Sequence, residues 1–376
     1  MRVAFLLIDY GRGGVERMVI NTASALARAG MEPHLIVSDP QGPYLDETDP
    51  SVAVDDVGPR PSASSLASHL QAIQAEVVIS AKLADDRLLA RAARRITPRP
   101  SLLFRVGNPI GHRLRSRGGW APWQRWQLRS LRRLYRQADG CIAVSSGIAE
   151  DLTDSLRVPR ERIHVLPNPT VSDELFTRAN EDVSHPWFQP GSIPVVLAAG
   201  ALRKQKDYGT LVRAFARARA EVDARLVILG DGRQRERLLA LGAELGIGGA
   251  LDLPGWVQNP HAYMSRASVF ALSSRWEGSP NALVEAAALG TPVVATDCIS
   301  GPRDILQNGR LGGLVAVGDD KALAAALVRA LTDPPPVSWT RSAAAPYHAH
   351  ASAQAYAAAL RTYAPDSRYP QTRATT

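Results

Sequence analysis

The chain has 376 residues, 45% hydrophobic and 21% charged, with a formal net charge of +8. At about 100–200 residues per domain, that length predicts two domains, each able to bury its own core, and the apolar content excludes wholesale disorder. Two widely separated cysteines, Cys141 and Cys298, exclude a disulfide framework and fit a reducing cytoplasm.

No apolar run approaches the ~20 residues that span a bilayer. The opening stretch, residues 3–8, reads as a buried strand cut off by Asp9 rather than as a signal peptide. A helix is predicted over 15–29, ending at Gly30, and then strands over 34–38, 77–80, 102–106, 139–145 and 164–166. Further helices are predicted over 66–74 and from Ser146. Residues 170–194 are polar, carry prolines and show no period, so they read as a linker. Alternation then resumes, with strands over 195–199, 226–230, 269–273 and 292–296 and helices over 207–219, 234–245, 281–290 and 321–331. Pro334-Pro335-Pro336 interrupts it before an Ala-rich helix over 348–363. Strands alternating with helices of this length imply an α/β chain with one parallel, Rossmann-like sheet per half. The predicted division is 1–180, 190–340, a C-terminal helix at 345–363 and a flexible tail at 364–376. Such sheets bind ligands at the carboxyl ends of their strands.

Four motifs fall at those ends. Gly11-Arg12-Gly13-Gly14-Val15-Glu16 follows the first strand and opens a helix. There glycine admits a ligand to backbone N–H groups and the helix N-terminus favours an anion. A dinucleotide fingerprint would need glycine where Glu16 stands. Glu277-Gly278-Ser279-Pro280-Asn281-Ala282-Leu283-Val284-Glu285 puts one carboxylate in a loop and another a turn into a helix. The N–H groups at 281–283 suit a phosphate, and the carboxylates suit hydroxyls. Gly200-Ala201-Leu202-Arg203-Lys204-Gln205-Lys206-Asp207 brings three positive charges to a strand end, as a pyrophosphate requires. Gly230-Asp231-Gly232 makes a turn against which a flat ligand can lie. The first three have plainer readings, a tight turn, a capping acid with a surface acid and a solvated basic loop, and the fourth by itself is weak.

Taken together, these strings resemble glycosyltransferase family 4, the retaining nucleotide-sugar enzymes of GT-B fold, in which two Rossmann-like domains face across a cleft. Leu253-Pro254-Gly255-Trp256-Val257, Leu289-Gly290-Thr291-Pro292 and Val165-Leu166-Pro167-Asn168 add to the match, and the tract from Asp297 to Leu306 is similar to bacterial enzymes of polysaccharide and lipid-linked oligosaccharide assembly. The resemblance implies an acceptor-binding first domain and a donor-binding second one, with the C-terminal helix crossing back to the first. It implies that Glu277 holds sugar hydroxyls, Glu285 the ribose and Lys206 the diphosphate. Val257 would contact the base, and backbone at Gly13, Gly14, Gly230 and Gly278 to Leu283, Ser279 and Ala282 included, would cradle phosphate and sugar. No metal or other cofactor is expected. The donor would be a nucleotide-diphosphate sugar, UDP-linked by expectation, and the acceptor a glycan or polyprenyl-linked glycan. The chain departs from the family pattern in having Ala201 where an arginine is usual, which passes that role to Arg203. It also has Gly107 where a histidine is usual, which leaves Arg105, Asn108 and Glu16 as acceptor-side candidates.

The stretch from Phe104 to Ala138 contains nine arginines and no acid, which more than accounts for the net charge. Trp120, Trp123 and Trp126 interleave with Arg113 to Arg136, and a helix opened by Pro122 is predicted over 122–137. Its Arg and Trp/Leu faces suit either an anionic membrane surface, here the inner face of the cell membrane, or an ordinary helix packed on its own sheet. No recognition motif supports nucleic acid as a partner. Two rival functions share the expected architecture: a nucleotide-sugar epimerase, and a nucleotide-sugar-binding scaffold without turnover.

Overall fold

The computed structural model describes residues 1–8, 13–42, 44–115 and 122–364, without the side chains of Arg113, Arg115 and Pro122. Gly11, Arg12, Arg117, Trp120 and the expected tail from residue 365 on lie outside the described residues.

The chain forms two units. One comprises Met1–Pro169 with the segment from Ala349 on, the other Thr170–His348. In the first, strands β1 (Arg2–Leu7), β2 (Glu32–Val37), β3 (Ala53–Asp56), β4 (Val77–Ser80), β5 (Ser101–Val106), β6 (Gly140–Ala143) and β7 (Ile163–Val165) build a parallel sheet in the order β3-β2-β1-β4-β5-β6-β7. Successive side chains of a strand point to opposite faces. Ala4, Leu6, Val78 and Phe104 therefore enter one core with Leu66, Leu89 and Leu131. Val3, Phe5, Leu7 and Ile79 enter the other with Ile20, Leu26, Tyr356 and Leu360. Burial on both faces explains why these strands read as unbroken apolar runs.

Tyr356 and Leu360 lie on the helix Ala349–Arg361, with which the chain returns to the first unit. Ser352 Oγ donates to Pro167 O at 2.7 Å, and Tyr363 OH lies 2.9 Å from His164 Nε2.

In the second unit, β8 (Val195–Ala199), β9 (Arg225–Leu229), β10 (Leu251–Gly255), β11 (Val269–Leu272), β12 (Val293–Thr296) and β13 (Gly313–Val315) form a parallel sheet in the order β10-β9-β8-β11-β12-β13. In each sheet the chain starts in the middle, runs to one edge and then resumes on the other side of the first strand. The crevices where such sheets take ligands thus open beside the ends of β1 and β4 in one unit, and of β8 and β11 in the other.

Three strands were not visible to periodicity: β3, β10 and β13. All are edge strands. With only part of their surface buried, they lack the apolar run on which the sequence reading relied. The stretch 170–194 is not a linker. It contains the helix Asp173–Ala179 and a short turn of helix at Pro186–Phe188, and Val171, Val183 and Phe188 enter the core of the second unit. A helix of 7 residues that buries only Leu175 and Ala179 is too short to show a period. The boundary accordingly falls at Pro169/Thr170.

Candidate functional site

In the second unit, the loop after β8 and the loop after β11 are laced together. Arg275 N donates to Gln205 O at 2.8 Å, Gln205 Nε2 to Trp276 O at 2.9 Å, and Ser273 Oγ to Lys206 O at 2.8 Å. The result is an ion pair, Lys206 Nζ to Glu277 Oε1 at 2.7 Å. Ser274 Oγ donates to the same oxygen at 2.5 Å. No residue described in the structure hydrogen-bonds Oε2, so one oxygen of this buried carboxylate is left to accept from something else. The loop is fixed from the far side by Ser300 Oγ, which donates to Glu277 O at 2.6 Å. Nearby, Cys298 is pushed up to about 12 by burial and by the charge of Glu277, so its thiol stays neutral. The Tyr208 hydroxyl is raised well above its ordinary value by the same two causes, and among the described residues it has no hydrogen-bond partner.

Glu277 leads through Gly278, Ser279 and Pro280 into the helix Asn281–Leu289, whose N-terminus has no side-chain cap among the described residues. Helix geometry leaves its first N–H groups, those of Asn281 and Ala282, without intrahelical acceptors. Leu283 corrects the sequence expectation: its N–H donates to Pro280 O at 3.0 Å and its side chain is fully buried. Ser279 Oγ is buried with no hydrogen-bond partner among the described residues, and Asn281 Oδ1 accepts from Thr170 Oγ1 at 3.2 Å. Glu285, a turn further on, has His261 Nε2 at 3.7 Å from its Oε2.

Glycine packs the remaining loops against this floor. Gly230 has φ +125°, and a Cβ there would stand 2.3 Å from Gly200 O; one on Gly232 would stand 2.6 Å from Leu202 O. Only glycine lets the loops after β8 and β9 approach backbone to backbone. Gly230 N donates to Gly255 O at 2.7 Å, and Trp256 N to an Asp231 oxygen at 3.0 Å, which brings in the end of β10 and the half-buried Val257. Arg203 is exposed, and among the described residues no ion pair or side-chain hydrogen bond holds it. The group that reaches Glu277 is Lys206.

In the first unit, Gly13 is the N-cap of the helix Gly14–Arg28; a Cβ on Gly14 would meet none of the described residues within 4 Å, whereas one on Gly13 would stand 2.8 Å from Glu16 Oε2. Glu16 is buried and bonded to Lys82 Nζ at 2.6 Å. Lys82 stands two residues beyond the end of β4, a place sequence reasoning passed over because a lone lysine carries no motif. Arg105 is 3% exposed and is built into the fold: Nη2 donates to Asn168 Oδ1 at 2.5 Å and Nε to Tyr356 OH at 3.4 Å.

Arg105 nonetheless forms part of the wall of a cavity of about 370 Å³, with Lys82, Asp86, Gly107, Asn108, and Gln127 and Leu131 of the helix Pro122–Tyr135. That volume is in the range of small-molecule sites. Asp86 at its rear is raised to about 7, chiefly by burial, although Ser80 Oγ donates to it at 2.6 Å. On the outside of the same helix Trp123 and Trp126 are 52% and 71% exposed, beside exposed Arg125 and Arg129. Its inner side enters the core through Leu131, Leu134 and Tyr135. The helix thus packs on its own sheet and also keeps an aromatic, basic outer face. No helix among the described residues is long and apolar enough to cross a membrane. None of their His, Cys, Asp or Glu side chains form a group of three or more able to hold a metal ion.

Two family models match, described as "Glycosyltransferase Family 4" over residues 12–174 and "Glycosyl transferases group 1" over residues 193–333. Among curated proteins, the N-acetylgalactosamine-N,N'-diacetylbacillosaminyl-diphospho-undecaprenol 4-alpha-N-acetylgalactosaminyltransferase of Campylobacter jejuni is 33% identical over 200 residues, 53% of each chain. The chain spans about half the length of the curated relatives it matches. Among solved structures, the lipopolysaccharide outer core galactosyltransferase WaaB has a TM-score of 0.74 at 20% identity, covering 96% of this chain and 99% of that one. The Anabaena protein HepE, in complex with UDP and glucose, has a TM-score of 0.73 at 18% identity, covering 96% and 100%.

Proposed function

Because the chain belongs to glycosyltransferase family 4 and has two Rossmann-like units of the GT-B fold, we propose that it transfers a hexose or N-acetylhexosamine from a UDP-sugar to a glycan or lipid-linked glycan acceptor, with retention of configuration and without a metal. The observation that carries this reading is the Lys206–Glu277–Ser274 cluster beside the N-terminus of the helix Asn281–Leu289, at the β8/β11 crevice. A diphosphate set there meets a lysine and the positive end of the helix, which stabilise the negative charge that grows on it as the bond from the anomeric carbon to the phosphate oxygen breaks. The exposed Arg203 is free to swing onto the same phosphates. The open Oε2 of Glu277 accepts from sugar hydroxyls, Glu285 accepts from the ribose, and the loop at Val257 borders the base. The acceptor hydroxyl attacks the anomeric carbon from the face the diphosphate leaves, and its proton passes to the departing phosphate oxygen, so no separate base is required.

The acceptor reading rests on the cavity of the first unit, whose polar groups at Lys82, Asp86 and Asn108 stand over an apolar wall. The named substrate of the Campylobacter relative is an undecaprenol diphosphate, which supports a lipid-linked acceptor. The exposed tryptophans and arginines of the helix Pro122–Tyr135 support peripheral contact with an anionic membrane surface.

The test is a binding titration of UDP, GDP and ADP against the wild type and Glu285→Ala. Selective UDP binding that weakens in the variant is the expected result; no binding of any nucleotide overturns the proposal. Product analysis with a UDP-sugar in the absence of acceptor exposes an epimerase, and UDP binding without any transfer exposes a scaffold.

A further inference from the structure

His261 is a buried polar side chain that the reaction above leaves unused. It sits at the start of the helix Pro260–Arg266, fixed there by Asn259, whose Oδ1 accepts from the N–H groups of His261 and Ala262 at 3.1 and 3.3 Å. That helix is tied to the end of the helix carrying Glu285, since Thr291 Oγ1 donates to Met264 O at 2.6 Å. The His261 side chain is 3% exposed, and neither ring nitrogen has a hydrogen-bond partner among the described residues. Burying such a group unpaired is costly and calls for a reason. The charged group it faces is Glu285, whose own side chain is 12% exposed, with Nε2 and Oε2 at 3.7 Å. This is just beyond hydrogen-bond range, so a small rotation of either side chain closes it.

We propose that His261 is a positioning residue for Glu285: its Nε2–H holds Oε2 so that the other carboxylate oxygen is presented to the vicinal hydroxyls of the bound ribose. The inference rests on the reading that Glu285 holds the ribose. A carboxylate accepts about four hydrogen bonds, enough for one imidazole N–H and a diol together, and an ionised acceptor strengthens each of them. Without the imidazole, the carboxylate keeps its charge but loses its orientation, and the energy lost is that of the diol contact alone.

The ligands for the test are UDP and 2′,3′-dideoxy-UDP, and the proteins are the wild type, Glu285→Ala, His261→Phe and His261→Gln. His261→Phe is expected to weaken UDP about tenfold, the scale of one charge-assisted hydrogen bond, and to leave dideoxy-UDP within about twofold. His261→Gln, which restores an N–H donor, is expected to recover part of the UDP affinity. Equal weakening of both ligands, or none, overturns the proposal, because a merely structural histidine does not distinguish ribose from dideoxyribose. If His261→Phe fails to fold, the comparison rests on His261→Gln and His261→Asn, which differ in reach; equal selectivity for the diol in both and in the wild type then overturns it. Glu285→Ala separates the two levels. If it weakens both ligands equally, the ribose reading falls; if it weakens UDP alone and the His261 variants do not, the positioning role alone falls.

Discussion

Lys206 and Glu277, 71 residues apart in sequence, share a 2.7 Å ion pair in which Glu277 also accepts from Ser274 through the same oxygen. The pair is possible because β8 and β11 are neighbours in the sheet although two strands intervene in sequence. It places a lysine and a half-satisfied carboxylate at the crevice, the combination of phosphate partner and hydroxyl acceptor on which the proposed function rests.

The pair supports stability as well as the proposed chemistry. Lys206 and Glu277 are 19% and 8% exposed in their side chains. Removing one partner of such a pair strands the other, so Lys206→Met is expected to lower the unfolding free energy by about 2–4 kcal/mol. Adding Glu277→Gln should restore at least about 1 kcal/mol of that loss. Urea denaturation of the four proteins measures the coupling. In steady-state assays each single variant should lose about a hundredfold or more in kcat; a Glu277→Gln enzyme with wild-type kcat would remove this residue from the reaction.

Asp86 sets a pH dependence of a definite sign. Its folded value is about 7, raised by burial and further by Asp85, against an ordinary 3.8. Where the folded value lies above the unfolded one, the native state binds the extra proton, so stability falls as pH rises from about 4 to about 7 and is flat beyond. Asp86→Asn keeps an acceptor for Ser80 and removes the titration. The stability of the variant relative to the wild type should therefore grow across that window, to the order of 2–4 kcal/mol at pH 8. Thermal melts at pH 5 and pH 8 check this, and parallel profiles for the two proteins would contradict it.

Two alanine substitutions at positive-φ glycines should behave differently. Gly246 has φ +71°, and a Cβ there would meet nothing within 4 Å, so Gly246→Ala should cost only about 1–2 kcal/mol of backbone strain. At Gly230 the same methyl meets Gly200 O at 2.3 Å and must part the loops after β8 and β9. Gly230→Ala should destabilise by more than Gly246→Ala and weaken UDP at least about tenfold, the loss of about 1.4 kcal/mol. Calorimetric titration and melting of both variants decide it.

The outer face of the helix Pro122–Tyr135 can be tested without touching the core, because Trp123 and Trp126 are exposed and the packing is carried by Leu131, Leu134 and Tyr135. Wild-type protein should float with phosphatidylglycerol vesicles and release from them in high salt. Trp123→Ser with Trp126→Ser should lose flotation while the melting temperature stays unchanged. Flotation that survives in the double variant would place the membrane contact elsewhere.

The sequence by itself determined the class of fold and the position of the candidate site. Central strands of a parallel sheet are buried on both faces, so 195–199 or 77–80 can be read from composition alone, and local rules place glycine, Lys206 and the Glu277/Glu285 pair at strand ends and a helix start. The tertiary structure alone decided the edge strands β3, β10 and β13, because partial burial leaves them no apolar run, and the short helix Asp173–Ala179, because two buried residues make no period. It also decided the partners. Arg105 turns inward to Asn168 and Tyr356, Glu16 is bonded to Lys82, and His261 Nε2 stands 3.7 Å from Glu285 Oε2. These pairings join segments from 24 to 251 residues apart, and they follow from strand order and helix packing, which no periodicity in the chain encodes.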